Sequence, residues 1–235
     1  MKRKQFLHYL GASLGAITLA PVLTACGGGG DELASTAAPD TLAPSLAVAP
    51  PTAPTAPTAP VAALSPEEIA GLKFMREEEK LAHDVYVALF NVWGAKVFSQ
   101  IAVSETTHTE TILALLVKYG IADPAAGKAP GVFEDPALQA LYNTLIAMGQ
   151  PSLIDALKVG ALIEETDIHD INERKALTDE ADILQVYSSL LCGSRNHLRA
   201  FNGQLLAKGV TYVPQVLTQA EWDAIANAAS ETCGG

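Results

Sequence analysis

The strongest constraint in this sequence is a three- and four-residue spacing of apolar side chains that recurs in four long segments. In the first segment, residues 65 to 91, Leu72, Met75, Tyr86 and Leu89 follow this spacing. Side chains so spaced share one face of an α-helix, which turns once every 3.6 residues. No segment of useful length alternates apolar and polar residues as a strand does. The pattern predicts an all-α fold in which four amphipathic helices form a bundle.

Capping residues place the helix ends. Ser65 is an N-cap residue followed by Pro66, which fits the first helical position, and Gly94 ends the same pattern. The predicted long helices lie at about 65–91, 96–119, 152–176 and 178–209, with short helices at about 136–148 and from Thr218 onward. The bundle therefore carries one extra short helix between its second and third long helices and another at its C-terminus.

The N-terminus has the order of a secretory signal. Lys2, Arg3 and Lys4 precede an apolar run that ends in Leu-Thr-Ala-Cys at residues 23–26, which resembles the bacterial lipobox. We expect cleavage after residue 25 and a lipid on Cys26, which would anchor the chain to a membrane of the cell envelope. A transmembrane helix is disfavoured because the run barely reaches the roughly 20 residues of a span.

Residues 26–63 are rich in Pro, Ala and Thr and include the repeat Ala-Pro-Thr-Ala-Pro-Thr-Ala-Pro at 53–60. Such a segment has too few large apolar side chains to fold and predicts an extended tether. The folded domain then comprises residues 64–235. Its position predicts a location in the envelope, facing either the periplasm or the cell surface.

Charge and cysteine content narrow the choice of partners. The chain has a net charge of −11, which argues against nucleic acid as a partner. Cys192 and Cys233 are compatible with a disulfide that ties the tail to the last long helix, and equally with two separate thiols. The sequence also leaves a homodimer open.

Five metal-ligating side chains fall on the apolar faces of the long helices. Glu79 lies on the first helix, Glu105 and His108 lie one turn apart on the second, Glu164 lies on the third and His197 on the fourth. Side chains one turn apart on an inner face point into the core of a bundle, so Glu105 and His108 can reach a common metal ion there. A structural pairing of Glu105 and His108 with each other or with Arg195 is the alternative. His83 and His169 fall beside the stripes, which predicts exposed residues.

This ligand order resembles that of ferritin-like proteins such as rubrerythrins. A Glu, then Glu-x-x-His, then a Glu and a final His occur on four successive helices. The resemblance implies a carboxylate and histidine metal centre with Glu165 or Asp167 as additional ligands. It also implies that Tyr86 and Ser194 lie in the layer around the ligands.

Three short motifs resemble a narrower branch, the domain of unknown function numbered 2202. They are Arg-Glu-Glu-Glu-Lys-Leu-Ala at 76–82, Ala-Pro-Gly-Val-Phe at 129–133 and Gly-Ser-Arg-Asn-His-Leu at 193–198. This resemblance implies a fold but no reaction. The last motif also departs from rubrerythrins, because Ser194 occupies the position of their fourth-helix carboxylate.

The expected cofactor is iron, as a pair of ions or a single ion, with manganese or zinc as substitutes; a metal-free protein is the remaining case. Two irons predict an oxidoreductase acting on Fe(II), oxygen or peroxide. The missing carboxylate at Ser194 favours the alternative, a non-catalytic envelope module that binds one metal ion or a protein partner.

Overall fold

The structure, a computed structural model, describes residues 63–233. Within this range it contains six α-helices and no strand, which confirms the all-α class. In chain order the helices are α1 (Pro66–Trp93), α2 (Lys96–Lys118), α3 (Pro136–Gly149), α4 (Leu153–Lys175), α5 (Ala181–Leu206) and α6 (Gln219–Ala226). The predicted helix ends lie within a few residues of the observed ones.

Capping residues at both ends of α1 explain why its boundaries can be predicted from the sequence. The Ser65 hydroxyl accepts a hydrogen bond from the Glu68 backbone N–H, and the Glu68 carboxylate accepts one from the Ser65 N–H, so both N-terminal donors are satisfied. Gly94 ends the helix with a φ of 63°, and its N–H donates to the Phe90 carbonyl. Glycine is favoured there because other residues rarely adopt positive φ.

The four long helices form two hairpins that pack together. Helix α1 packs along α2, and α4 packs along α5. Contacts of α1 with α4 and of α2 with α5 join the hairpins, while α3 lies against α1 and α4, and α6 lies against α5. The four long helices therefore surround one core.

Three aromatic rings occupy the core next to the polar cluster described below. Tyr86, Phe98 and Phe201 are buried, and their ring centroids lie 5.3 to 6.2 Å apart. Each ring of this size removes 150–250 Å² from water, so the trio contributes strongly to stability. The apolar rings also keep water away from one side of the cluster.

Every residue of α4 from 159 to 168 is buried, so this stretch is covered around its whole circumference. It is covered by α1, α3 and α5, and by the segment that follows α5. Polar side chains in this stretch cannot reach water, so each needs a partner inside the protein.

The C-terminal tail is fastened to the outer side of α5. A disulfide joins Cys192 to Cys233, which decides between the two alternatives left by the sequence. The carboxylate of Glu231 accepts hydrogen bonds from Arg195 Nε at 2.7 Å and Arg199 Nη2 at 2.6 Å. Arg195 thus pairs with the tail, not with the buried carboxylates.

The predicted signal peptide, Cys26 and the tether up to residue 62 lie outside the described residues. Among residues 63–233, none of the helices combines the length and the apolar character that a membrane span needs.

Candidate metal centre

Four helices bring five ligand-type side chains into one buried cluster. Glu79 comes from α1, Glu105 and His108 from α2, Glu164 from α4 and His197 from α5. None of the five is more than 8% exposed. Because buried charges are usually paired or bind metal, so many ionisable groups in one place make this cluster the candidate functional site.

The cluster consists of two sets of three ligands that share one residue. In the first set His108 Nδ1 lies 3.1 Å from Glu79 Oε2 and 2.9 Å from Glu105 Oε2. In the second set His197 Nδ1 lies 2.8 Å from Glu105 Oε1 and 3.5 Å from Glu164 Oε2. In each set the ligand atoms lie within 4.8 Å of one another. Glu105 therefore presents one carboxylate oxygen to each set.

Unpartnered polar atoms test whether this cluster fits a metal. Glu79 Oε1 and Asp167 Oδ1 are buried without a hydrogen-bond partner in the described part of the chain. His197 Nδ1 is also among the buried atoms without one, although Glu105 Oε1 lies 2.8 Å away. Buried polar atoms left unpaired cost free energy. Ligands that converge on a shared cation have this arrangement, so the donor set fits a metal.

The charges of the cluster shift its ionisation equilibria. Burial alone would lower the pKa of His197, but the carboxylates of Glu105 and Glu164 raise it to about 10. Burial would raise the pKa of Glu105, but the imidazoles of His197 and His108 lower it below its ordinary value. Burial raises the pKa of Glu79 to about 7 against the opposing effect of His108. In the metal-free protein, imidazolium groups and bound protons thus offset the negative charge of the carboxylates.

Tyr86 holds the carboxylate of Glu164 in place from the apolar side. Its hydroxyl donates a hydrogen bond to Glu164 Oε1 at 2.5 Å and lies 3.4 Å from the carbonyl of Gly160. Burial and the nearby carboxylates raise the pKa of Tyr86 well above its ordinary value, so the phenol keeps its proton. This contact leaves Glu164 Oε2 directed toward His197.

Ser194 and Asp167 form a buried pair beside the cluster. The Ser194 hydroxyl contacts Asp167 Oδ2 and lies 3.0 Å from the carbonyl of Leu190. Burial, with Glu79 and Glu164 adding to it, raises the pKa of Asp167 well above its ordinary value. Asp167 thus brings a carboxyl group of α4 close to the cluster. Its neighbour on α5, Ser194, offers only a hydroxyl group.

Comparison with known proteins places the whole cluster within one family. The model of the uncharacterized protein domain DUF2202 matches residues 68–229. The chain belongs to the DUF2202 family. The uncharacterized protein MJ0754 of Methanocaldococcus jannaschii is 46% identical over 168 residues, which is 72% of this chain and 91% of MJ0754. A crystal structure of hypothetical protein MJ0754 from Methanococcus jannaschii matches with a TM-score of 0.72 at 45% identity, covering 74% of this chain and 99% of that one.

One residue predicted as an additional ligand lies elsewhere in this DUF2202 domain. Glu165 points away from the cluster, and its carboxylate accepts hydrogen bonds from the Tyr212 hydroxyl at 2.7 Å and from the backbone N–H groups of Gln215, Val216 and Leu217. Its oxygens are occupied by these four donors. In this arrangement Glu165 lies outside both groups of ligand-type residues, and Glu164 is the member of the pair that faces the cluster.

The remaining histidines of the DUF2202 domain lie at its surface. His83 Nδ1 is 2.9 Å from Asp84, and the His83 side chain is 35% exposed. His169 lies beside Asp170 and Glu173 on a partly exposed part of α4. Both histidines are half-buried, whereas exposed residues were predicted, and neither belongs to the buried cluster.

Sequence reasoning did not select Ser104, which contacts the site. Its hydroxyl lies 3.0 Å from His197 Nε2, on the side of the imidazole opposite the ligand atom Nδ1. A group bound to the second nitrogen of a histidine ligand fixes the tautomer and the orientation of the ring. Ser104 is one turn before His108 on α2, so the helical period could have identified it.

Proposed function

We propose that this chain is a ferritin-like protein that holds two divalent metal ions, most readily iron, and acts as an oxidoreductase on Fe(II), oxygen or peroxide. The observation that carries the proposal is the sharing of Glu105 between two sets of Glu, Glu and His. A carboxylate that offers one oxygen to each of two sets is suited to bridging two cations. Glu79 and His108 would complete the first site, and Glu164 and His197 the second.

The chemistry of the donors supports iron, with manganese and zinc as alternatives. Carboxylate oxygen and imidazole nitrogen suit these ions, whereas the described residues offer no thiolate because Cys192 and Cys233 are joined. Bound iron would supply the electron transfer that oxygen or peroxide reduction requires. Around it, the chain excludes water with aromatic rings, orients His197 through Ser104 and keeps a proton on Tyr86.

The ferritin-like assignment is supported by the order of ligands along the chain. Two helical hairpins present Glu, Glu-x-x-His, Glu and His in succession. Ser194 departs from the rubrerythrin pattern, which has a carboxylate at this position. The carboxyl group of Asp167, which contacts Ser194, would take the place of that carboxylate.

Export as a lipoprotein is the second part of the proposal and depends on the sequence of residues 1–26. A lipid on Cys26 would anchor the domain to an envelope membrane through the tether at 26–63. Labelling cells with a radioactive fatty acid tests this: we expect label on the wild-type chain and none on Cys26→Ala. Equal labelling of both proteins would refute the anchor.

Elemental analysis of protein purified without chelator tests the metal proposal. We expect about two metal ions per chain in the wild type and none in Glu105→Ala/His108→Ala, because Glu105 belongs to both sets and His108 to the first. Glu110→Ala, on the exposed face of the same helix, is the matched control and should retain both ions. A folded wild type that stays empty after anaerobic Fe(II) addition would refute the proposal.

A non-catalytic module that binds one metal ion or a protein partner is the second candidate. The contact between Ser194 and Asp167 favours it, because it engages an oxygen of the extra carboxyl group. This candidate predicts one metal ion or none per chain, with no consumption of oxygen or peroxide. The two-metal proposal predicts that the iron-loaded protein consumes at least one of them.

A further inference from the structure

The imidazole of His108 lies directly against the backbone of α5. A β-carbon built on Gly193 would come within 2.5 Å of His108 Nε2 and 2.6 Å of its Cε1. Ordinary contacts between such atoms are about 3.5 Å or longer. A side chain of any size at residue 193 would therefore force the ring to move by nearly an ångström.

The ring has little freedom to make that movement. His108 is 8% exposed, and its Nδ1 is 3.1 Å from Glu79 and 2.9 Å from Glu105. On another side its ring stacks on that of His197, with centroids 5.6 Å apart. Any displacement caused at Nε2 is thus transmitted to Nδ1, the nitrogen that faces the carboxylates.

We propose that Gly193 is a positioning residue for His108: the missing side chain on α5 allows the imidazole from α2 to place Nδ1 between Glu79 and Glu105. The consequence for metal binding rests on the proposed function, whereas the contact itself does not. Since glycine in a helix interior costs about 1 kcal/mol relative to alanine, its presence here needs a compensating role.

Two other glycines of the domain provide matched controls. Gly203 lies on the same helix, and a β-carbon there would meet nothing within 4 Å. Gly149 on α3 packs against the Leu89 side chain, which a β-carbon would approach to 2.6 Å. Gly203→Ala therefore controls for helix propensity, and Gly149→Ala controls for a general packing defect.

Cobalt(II) titration of the full chain, followed by its visible absorption, tests the effect on ligation. We expect Gly193→Ala to lose one of the two cobalt ions, or to bind it about tenfold more weakly or worse, with a changed spectrum for that ion. Gly203→Ala should retain both ions and the wild-type spectrum. Gly149→Ala should be less stable but bind both ions when folded. A folded Gly193→Ala that binds both ions with wild-type affinity and spectrum would overturn the proposal.

A double-mutant cycle with His108→Ala tests the contact without any metal. We expect Gly193→Ala to lower the melting temperature of the metal-free wild type, or to prevent its folding, and to have no such effect in the His108→Ala background. A loss of similar size in both backgrounds would overturn the proposal, because the steric conflict would then involve another group. If the wild type binds no metal, the proposed function fails, and this cycle still decides the role of Gly193.

Discussion

At the scale of single residues, Tyr86 connects the apolar core to the carboxylate cluster. Its ring packs with Phe98 and Phe201, and its hydroxyl reaches Glu164 at 2.5 Å. Tyr119 makes a comparable bond to Asp182 at 2.8 Å, but that carboxylate is 31% exposed. The two tyrosines therefore make similar hydrogen bonds in very different surroundings.

We predict that Tyr86→Phe lowers the free energy of unfolding by about 1–2 kcal/mol, because it retains the ring and leaves a buried Glu164 oxygen without its donor. Tyr119→Phe should cost less than about 1 kcal/mol, since water can replace the lost bond. Urea denaturation of both variants measures the difference. Equal losses would show that burial of the acceptor has no influence.

At the scale of helices and segments, Glu165 on α4 binds the segment that follows α5. One carboxylate receives the Tyr212 hydroxyl and three consecutive backbone N–H groups at residues 215–217. This segment covers α4 on the side away from the ligands. Adjacent residues of α4, Glu164 and Glu165, thus serve the cluster and the covering segment respectively.

We predict that Glu165→Gln destabilises the protein by about 2–3 kcal/mol while the metal content stays unchanged. The NH2 group of the glutamine side chain is a hydrogen-bond donor, and it would face backbone N–H groups that are also donors. Hydrogen exchange of the amides at 215–217 should accelerate. Loss of metal with normal protection of these amides would contradict the assignment of Glu165 to the covering segment.

The disulfide acts on the same scale, since it closes a loop between residues separated by 41 positions. We predict that Cys233→Ser lowers the free energy of unfolding by about 2–4 kcal/mol, mainly because the unfolded chain gains freedom. Dithiothreitol should lower the melting temperature of the wild type and leave that of Cys233→Ser unchanged. An equal response of both proteins would place the effect of the reductant elsewhere.

At the scale of the whole molecule, the cluster exists only when the two hairpins pack together. Glu105 belongs to the first hairpin and lies 2.8 Å from His197 of the second. Ionisation and folding are therefore linked, because the pKa of His197 is about 10 in the folded protein and near 6.5 in an unfolded chain.

The sign of this linkage gives a prediction for the metal-free protein. The folded state holds the His197 proton more tightly, so the stabilisation is complete below about pH 6.5 and is lost as pH rises to about 10. Glu79, with its pKa raised to about 7, acts in the same direction at lower pH. We expect the melting temperature to fall between pH 6.5 and 10, measured by circular dichroism, and to fall less for His197→Ala, in which His108 keeps a raised pKa. A flat profile for the wild type would contradict the linkage.

Much of the fold follows from local sequence. The three- and four-residue spacing and the caps at Ser65 and Gly94 determined the helices, because these signals act over one or two turns. The same spacing selected Glu79, Glu105, His108 and other inward-facing residues, since a polar residue on an apolar stripe must face the core.

Other features depended on contacts between distant segments. Glu164 and Glu165 could not be separated by periodicity, because α4 is buried all around and both side chains are internal. The partners of Glu165 lie 47 to 52 residues further along the chain. The disulfide, the pairing of Ser194 with Asp167 and the space that Gly193 leaves for His108 also arise only when α5 packs on its neighbours. Local sequence determined which faces turn inward, and tertiary packing decided which atoms meet there, because that depends on the relative placement of helices far apart in sequence.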